Sequence, residues 1–279
     1  MLLGTVTALS AAAGTAICLY FCALYGMGYL WVLPVGFVAT FLTLALMVFL
    51  VLWVSCLLVD LEKPQEKESK YYRFLVRMMM PAAMSILQVR AHTEGLEKTP
   101  KTGRFLLVCN HLNNADPLVL LRYFPKKQLA FISKREASSM FLVGKLMHKI
   151  MCQPVNREND REALKTIIKC VELLRDDQQS IGVFPEGYIR GDNLMHPFRH
   201  GVFKIAQKTG VPIVVCTLRE TQNIFKNAAR LKTTDVTLHL VDVVQPEQYA
   251  GMKATEISNM VYEMMAADLG PDRVWQPEN

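Results

Sequence analysis

Phe105-Leu106-Leu107-Val108-Cys109-Asn110-His111-Leu112-Asn113-Asn114-Ala115-Asp116-Pro117-Leu118-Val119-Leu120-Leu121 reads as strand, loop and helix in succession. The unbroken apolar run at 105–108 suits a short strand buried on both faces, the kind found in parallel sheets. Asp116 at an N-cap with Pro117 at the first helical position predicts a helix start. The Asp side chain satisfies orphan N–H groups there, and proline has no N–H to satisfy. His111 then falls on the connecting loop, where a rigid scaffold aims a side chain into a cleft. A carboxylate held against one ring nitrogen fixes the tautomer and leaves the other nitrogen free to take a proton. His111 and Asp116 are therefore candidate catalytic residues, although a helix cap beside an ordinary loop histidine has the same spacing.

The alternation continues along the chain. Short apolar runs at 105–109, 129–133, 152–155, 181–184, 212–218 and 235–243 are separated by helical stretches at 117–123, 138–149, 159–175 and 200–208, with a further helix at 254–268. Strands interleaved with helices of this length predict an α/β domain over 104–279, a central and mostly parallel sheet flanked by helices. Residues 61–103 read as a polar juxtamembrane linker followed by an amphipathic helix. That helix carries Tyr71, Phe74, Leu75, Met78, Met79, Ile86 and Leu87 among Arg73, Arg77 and Arg90, and Pro81 is expected to break it. It is read either as an interfacial helix or as one packed on the soluble domain.

Residues 2–59 contain no Asp, Glu, Lys, Arg or His. As helix they measure roughly 87 Å, enough for two crossings of a ~30 Å hydrocarbon core with a turn between. The turn falls at Gly26-Met27-Gly28 and Pro34-Val35-Gly36, and Tyr20, Tyr25, Tyr29 and Trp31 cluster around it as interfacial aromatics do. Residues 1–60 are accordingly expected to form a transmembrane hairpin of helices near 4–25 and 35–59. A cleavable signal peptide fits less well, because no Lys or Arg precedes the apolar region and its second half would remain. Lys63, Lys67, Lys70, Arg73 and Arg77 follow, so an integral membrane protein is expected, with the C-terminal part, which carries the candidate catalytic residues, on the cytoplasmic face.

All 31 basic and 25 acidic residues lie from Asp60 onward, and the net charge of +6 favours an anionic lipid surface. That charge is diffuse and comes with no nucleic-acid-binding motif, so nucleic acid is not an expected partner. Seven cysteines without a CxxC spacing suit a reducing compartment.

Three further blocks stand at the ends or starts of apolar runs. Val183-Phe184-Pro185-Glu186-Gly187 closes the run at 181–184; proline fixes φ, glycine permits close backbone approach, and Glu186 is held at a strand's carboxyl end, where clefts in open α/β sheets form. An ordinary turn with a solvated Glu is the alternative. Val155-Asn156-Arg157-Glu158 offers a guanidinium fork suited to phosphate, or an arginine paired with Glu158 or Asp160. Gly210-Val211-Pro212-Ile213-Val214 reads as a structural strand start. The chain has no G-x-S-x-G elbow and no Walker A loop. His196 and His200 are four apart, but Pro197 intervenes and no HExxH is present, so no metal site is expected.

In fixed order, Asn110-His111-x4-Asp116, Val155-Asn156-Arg157, Phe184-Pro185-Glu186-Gly187 and Val211-Pro212-Ile213 resemble the four sequence blocks of the lysophospholipid acyltransferase family. Phe131-Ile132-Ser133-Lys134-Arg135-Glu136 and Phe198-Arg199-His200-Gly201 resemble it too, and the likeness covers about residues 70–245. The resemblance implies a glycerolphosphate-acyltransferase-like fold. It implies acyl transfer from a thioester co-substrate, acyl-CoA or acyl carrier protein, to the free hydroxyl of 1-acyl-glycerol-3-phosphate. No covalent enzyme intermediate and no bound cofactor are implied. By this likeness His111 is the general base, Asp116 orients it, Arg157 holds the acceptor's phosphate, and Phe184, Pro185, Glu186 and Gly187 shape the acceptor site. Another lysophospholipid or lipid acceptor, or a non-catalytic lipid-binding protein on the same fold, are the alternatives. One departure stands out: the family's third block commonly continues Glu-Gly-Thr-Arg, whereas here Glu186-Gly187 is followed by Tyr188-Ile189-Arg190. Arg190 thus stands one position late as a substrate-binding candidate, which leaves the acceptor's head group open.

Overall fold

The computed structural model describes residues 2–64, 66–156 and 159–276. Seven strands form one sheet: β1 (Val89–Glu94), β2 (Leu106–Cys109), β3 (Leu129–Lys134), β4 (Gln153–Val155), β5 (Ser180–Val183), β6 (Ile213–Arg219) and β7 (Thr234–Val244). Their order is β1-β7-β6-β2-β5-β3-β4, parallel throughout except for the antiparallel β6–β7 pair. All four residues of β2 are buried, as are those of β5, because sheet neighbours and helices cover them on every side. In register Cys109 stands beside Cys216, and Val108 stands between Val183 and Val215. The chain therefore leaves β2, β5 and β6 on the same edge of the sheet.

Two helices, α1 (Leu2–Tyr25) and α2 (Val32–Leu57), precede the sheet and pack on each other. The others in the first two-thirds of the chain are α3 (Lys70–Ile86), α4 (Asp116–Tyr123), α5 (Arg135–Ser139), α6 (Phe141–Lys149) and α7 (Asp160–Arg175). After β5 come α8 (Lys204–Thr209), α9 (Ile224–Ala228), α10 (Pro246–Tyr249) and α11 (Ala254–Leu269). The largest fully buried side chains, among them Phe105, Leu106, Leu107, Phe203 and Ile205, lie in one continuous core.

Several elements differ from the sequence pattern. β1 is a strand where no apolar run announces one: it pairs only with β7, its polar residues Arg90, Thr93 and Glu94 are exposed, and the alternation is too weak to read. The stretch 138–149 is two helices, α5 and α6, with a sharp corner between them. The stretch 200–208 begins as a 3-10 turn, His200–Phe203, before α8. α3 runs unbroken through Pro81. Proline removes one N–H from the ladder, but Tyr72, Val76, Met80 and Met84 anchor the helix on both sides of it.

The start of α3 is also fixed by a buried polar cluster. The Arg73 guanidinium donates to the carbonyls of Leu129 (2.9 Å) and Ile150 (3.3 Å) and to Gln179 Oε1 (3.1 Å), and pairs with Glu68. Glu68 in turn accepts from Gln128 and Gln179 at 3.0 and 3.1 Å. A buried ion pair is tolerated only when its remaining hydrogen-bonding capacity is used, as it is here.

α1 and α2 pack side by side, joined by a short 3-10 turn at Met27–Tyr29. Both are long and apolar enough to cross a membrane. Small residues let their backbones approach: a Cβ on Gly14 would lie 2.7 Å from Phe37 N, and Gly36 faces Gly14. Thr40 Oγ1 donates to Ser10 O at 3.2 Å across the same interface. The far end of α2 touches the α/β domain through Trp53, whose ring centroid is 4.6 Å from that of Phe141, and through Tyr72, which donates to Ser55 O at 2.7 Å.

Candidate active site

β2 stops where Asn110 turns inward. Its side chain donates to Leu218 O (2.9 Å) and accepts from Leu218 N (2.7 Å), a two-bond clamp onto β6 at the last buried position before the loop. The chain then swings out, and His111 is left with 13% of its side chain exposed. Asp116 is fully buried and opens α4, but it is the first helical residue and Ala115 holds the cap position. The expected capping role is thus corrected: the carboxylate folds back onto the preceding loop. Its Oδ2 accepts from Leu112 N and Asn113 N, both at 2.8 Å, and lies 2.9 Å from His111 Nδ1. Asn113 Oδ1 takes the N–H of Ala115 instead, at 2.9 Å.

This geometry assigns the tautomer. A carboxylate has no proton to give, so Nδ1 carries the hydrogen and Nε2 keeps its lone pair. The Phe184 ring stacks on the imidazole at 4.1 Å and 18°, and Phe131 continues the stack at 5.8 Å and 9°. The imidazole plane is therefore set by a hydrogen bond on one side and an aromatic wall on the other.

Glu186 lies beneath this pair, 5% exposed. Oε1 accepts from His111 N and Oε2 from His196 N, both at 2.8 Å. Burial pushes the carboxyl up to about 8, although those two N–H donors pull it the other way. Glu186 joins the loop after β2 to the loop after β5. Pro185 is buried and its carbonyl accepts from Arg199 N at 2.9 Å. Gly187 has φ +81, a conformation that favours glycine, and a Cβ there would press on the Arg199 side chain at 3.0 Å. The same guanidinium lies 4.9 Å from the centre of the Tyr188 ring.

His111, Asp116, Phe184, Pro185, Glu186 and Gly187 come together. Arg190 is exposed further along the loop, and Arg199 is the arginine that lies against Gly187. Arg157 lies outside the described residues; its neighbour Asn156 donates to Glu162 Oε2 at 3.0 Å. Pro212 has a structural role, its carbonyl accepting from Leu106 N at 3.0 Å to align β6 with β2. His196 pairs with Asp192 at 2.7 Å, and its backbone N–H carries the site contact. Phe131 and Arg199 were not assigned a site role by sequence, and His196 was weighed only as a metal ligand and set aside. Phe131 and Arg199 stand in the stretches that accompany the four blocks, whereas nothing in the sequence marks His196 N–H.

The family model described as Acyltransferase matches residues 90–219. A 1-acyl-sn-glycerol-3-phosphate acyltransferase of Borreliella burgdorferi is 31% identical over 189 residues, which cover 66% of this chain and 74% of the relative. A chloroplastic 1-acyl-sn-glycerol-3-phosphate acyltransferase, BAT2, of Brassica napus is 31% identical over 56% of this chain and 44% of its own length. A probable 1-acyl-sn-glycerol-3-phosphate acyltransferase of Mycoplasma pneumoniae is 28% identical over 62% and 64%. Of these two the match therefore spans less than two-thirds. The crystal structure of the 1-acyl-sn-glycerophosphate (LPA) acyltransferase PlsC from Thermotoga maritima aligns with a TM-score of 0.61, covering 99% of this chain and all of that one. At 20% identity it shows a shared fold. With a relative 31% identical and aligned over 74% of its own length, the chain belongs to the 1-acyl-sn-glycerol-3-phosphate acyltransferase family.

Proposed function

We propose that this protein is a membrane-bound enzyme that transfers a fatty acyl group from an acyl thioester, of coenzyme A or acyl carrier protein, to the free hydroxyl of 1-acyl-glycerol-3-phosphate, giving phosphatidate. The observation that carries the reading is the 2.9 Å contact between His111 Nδ1 and the buried Asp116 carboxylate, which leaves Nε2 as a base. An alcohol is a poor nucleophile until its proton leaves, and a neutral imidazole matches that task near pH 7. Nε2 takes the hydroxyl proton as the oxygen bonds to the thioester carbonyl carbon. The tetrahedral intermediate collapses, the carbon–sulfur bond breaks, and the imidazolium returns the proton to the leaving sulfur. Asp116 stabilises the imidazolium between these steps. A thioester is already activated, so this sequence needs no metal.

Arg157 is assigned to the acceptor's phosphate through its planar fork. Arg199 serves as the second positive group rather than Arg190, because it lies against Gly187 at the loop that also carries Glu186. Phe184 and Pro185 line the apolar side. Outward-facing apolar side chains on α1 and α2 support insertion in the bilayer, and the basic residues that follow α2 support a cytoplasmic catalytic domain.

The test uses purified protein, an acyl-CoA and a panel of lysophospholipids, following free thiol and, by mass spectrometry, the acylated product. Thiol release that depends on lysophosphatidate and yields phosphatidate is expected. His111→Ala is expected to lose roughly 10²–10⁴-fold in turnover with its melting midpoint retained. A normal rate in that variant removes the base assignment, and preference for a different head group replaces the acceptor.

A further inference from the structure

The segment Arg273-Val274-Trp275 lies beyond the residues matched by the family model, yet it is tied to both loops that flank His111. Met195 N donates to Arg273 O at 2.8 Å and Trp275 N donates to Met195 O at 3.0 Å, a parallel bridge that aligns Met195 with Val274. Both bridged side chains are buried, Met195 completely. The Trp275 ring stacks on the neighbouring imidazole of His196 at 5.8 Å and 30°. From this short bridge the contacts run straight to the centre: His196 N holds Glu186 Oε2, and Glu186 Oε1 holds His111 N, each at 2.8 Å.

A second route starts from the same segment. Arg273 Nη2 donates to Glu220 Oε1 at 2.7 Å. Glu220 has φ +65, a left-handed conformation that a residue with a Cβ keeps only when its surroundings hold it. It begins the loop in which Gln222 O accepts from Asn113 Nδ2 at 3.4 Å, and Asn113 N is one of the donors to Asp116. Backbone contacts around the imidazole and around its carboxylate partner thus both lead to residues 273–275.

We propose that Arg273 and Trp275 are positioning residues, forming a C-terminal strap that holds the loops bearing Glu186 and Glu220 so that His111 and Asp116 keep their working geometry. The segment touches no reacting group itself; it acts by limiting the motion of Glu186 and Asn113. Misplacement of a catalytic base by a fraction of an ångström lowers the rate of the chemical step while leaving substrate contacts in place. α11 ends at Leu269, so the strap lies outside the sheet and its α-helices.

The proposal rests on the acyl-transfer reading, and its test separates the two. Arg273→Ala, Trp275→Ala and the double variant are compared with Arg273→Lys and Trp275→Phe in the full chain. Acyl transfer and backbone hydrogen exchange at His111 and His196 are both measured. The double variant is expected to lose about tenfold in kcat with the KM for acceptor and donor within about twofold. Exchange at His111 N–H and His196 N–H is expected to quicken, and the conservative variants to recover most of both. Unchanged kcat, or an activity loss that follows the fraction of unfolded protein alone, overturns the strap. Absence of acyl transfer in the unsubstituted chain overturns the functional reading instead. The hydrogen-exchange comparison then decides the strap: quickened exchange at both amides supports it and unchanged exchange rejects it.

Discussion

Glu186 shows how one side chain serves a site without facing the solvent. Its two oxygens organise two backbone N–H groups, so the carboxyl sets the positions of His111 and His196 from below. Removal from water opposes its charge, which is why burial pushes it up to about 8, whereas the ordinary value is 4.5. The sign of the consequence follows from proton binding. Between those values the folded chain holds a proton that the unfolded chain has released, so this residue's contribution to stability falls as pH rises from about 4.5 to about 8. The slope is bounded at about 1.4 kcal/mol per pH unit. Glu186→Gln has no proton to lose and mimics the neutral form. The melting midpoint of the unsubstituted protein should therefore decline relative to Glu186→Gln between pH 5 and pH 8. A difference that stays constant across that range would mean that the two N–H donors keep the carboxylate ionised throughout.

At the scale of elements, the corner between α5 and α6 depends on one missing side chain. A Cβ on Gly144 would lie 2.0 Å from the carbonyl oxygen of Ser138, and that atom belongs to the backbone and has little freedom to yield. Gly144→Ala should cost about 1–3 kcal/mol by forcing the corner open. Gly201→Ala, where the nearest atom is the Ile167 methyl at 3.9 Å, should change stability by under about 1 kcal/mol. Equal melting midpoints for the two variants in detergent would show that the corner opens freely. The corner was not legible in the sequence, because apolar residues at helical spacing run across it and Ser138-Ser139 alone do not mark a break. The buried strands were legible for the opposite reason: β2, β5 and β6 are covered on both faces and read as apolar runs. β1 was hidden because an edge strand with Arg90 and Glu94 exposed has no such run. In the site, His111, Asp116 and Glu186 were marked by their local spacing. The direction of the Asp116 carboxylate, back to the loop rather than onto its own helix, was not, since both choices satisfy nearby N–H groups. His196 and Trp275 act through contacts between residues about eighty positions apart in sequence, a separation that no local pattern encodes.

Across the whole molecule, the hairpin and the catalytic domain meet through few but specific contacts. The Trp53 ring lies against that of Phe141, Tyr72 reaches Ser55 O, and Arg73 at the start of α3 is locked into the buried cluster with Glu68 and Gln179. α3 thus connects the hairpin to the residues leading into β3, β4 and β5. The hairpin's remaining surface is apolar and outward-facing: Leu19 is 66% exposed, Leu42 60% and Phe49 50%. An apolar face of that extent is unfavourable in water and favourable in hydrocarbon, where a helix also satisfies its own backbone. A bilayer around α1 and α2 would hold the catalytic domain beside its lipid substrates and restrict their encounter to two dimensions. The expectation is that membranes carrying the full chain retain it through washes in high salt and alkaline carbonate, and release it only in detergent. High salt removes proteins held by the net positive charge, and carbonate removes those bound to other proteins, so retention through both isolates the apolar contribution. Recovery of the folded chain in the carbonate supernatant would assign the exposed face of α1 and α2 to a protein partner and detach the site from the bilayer.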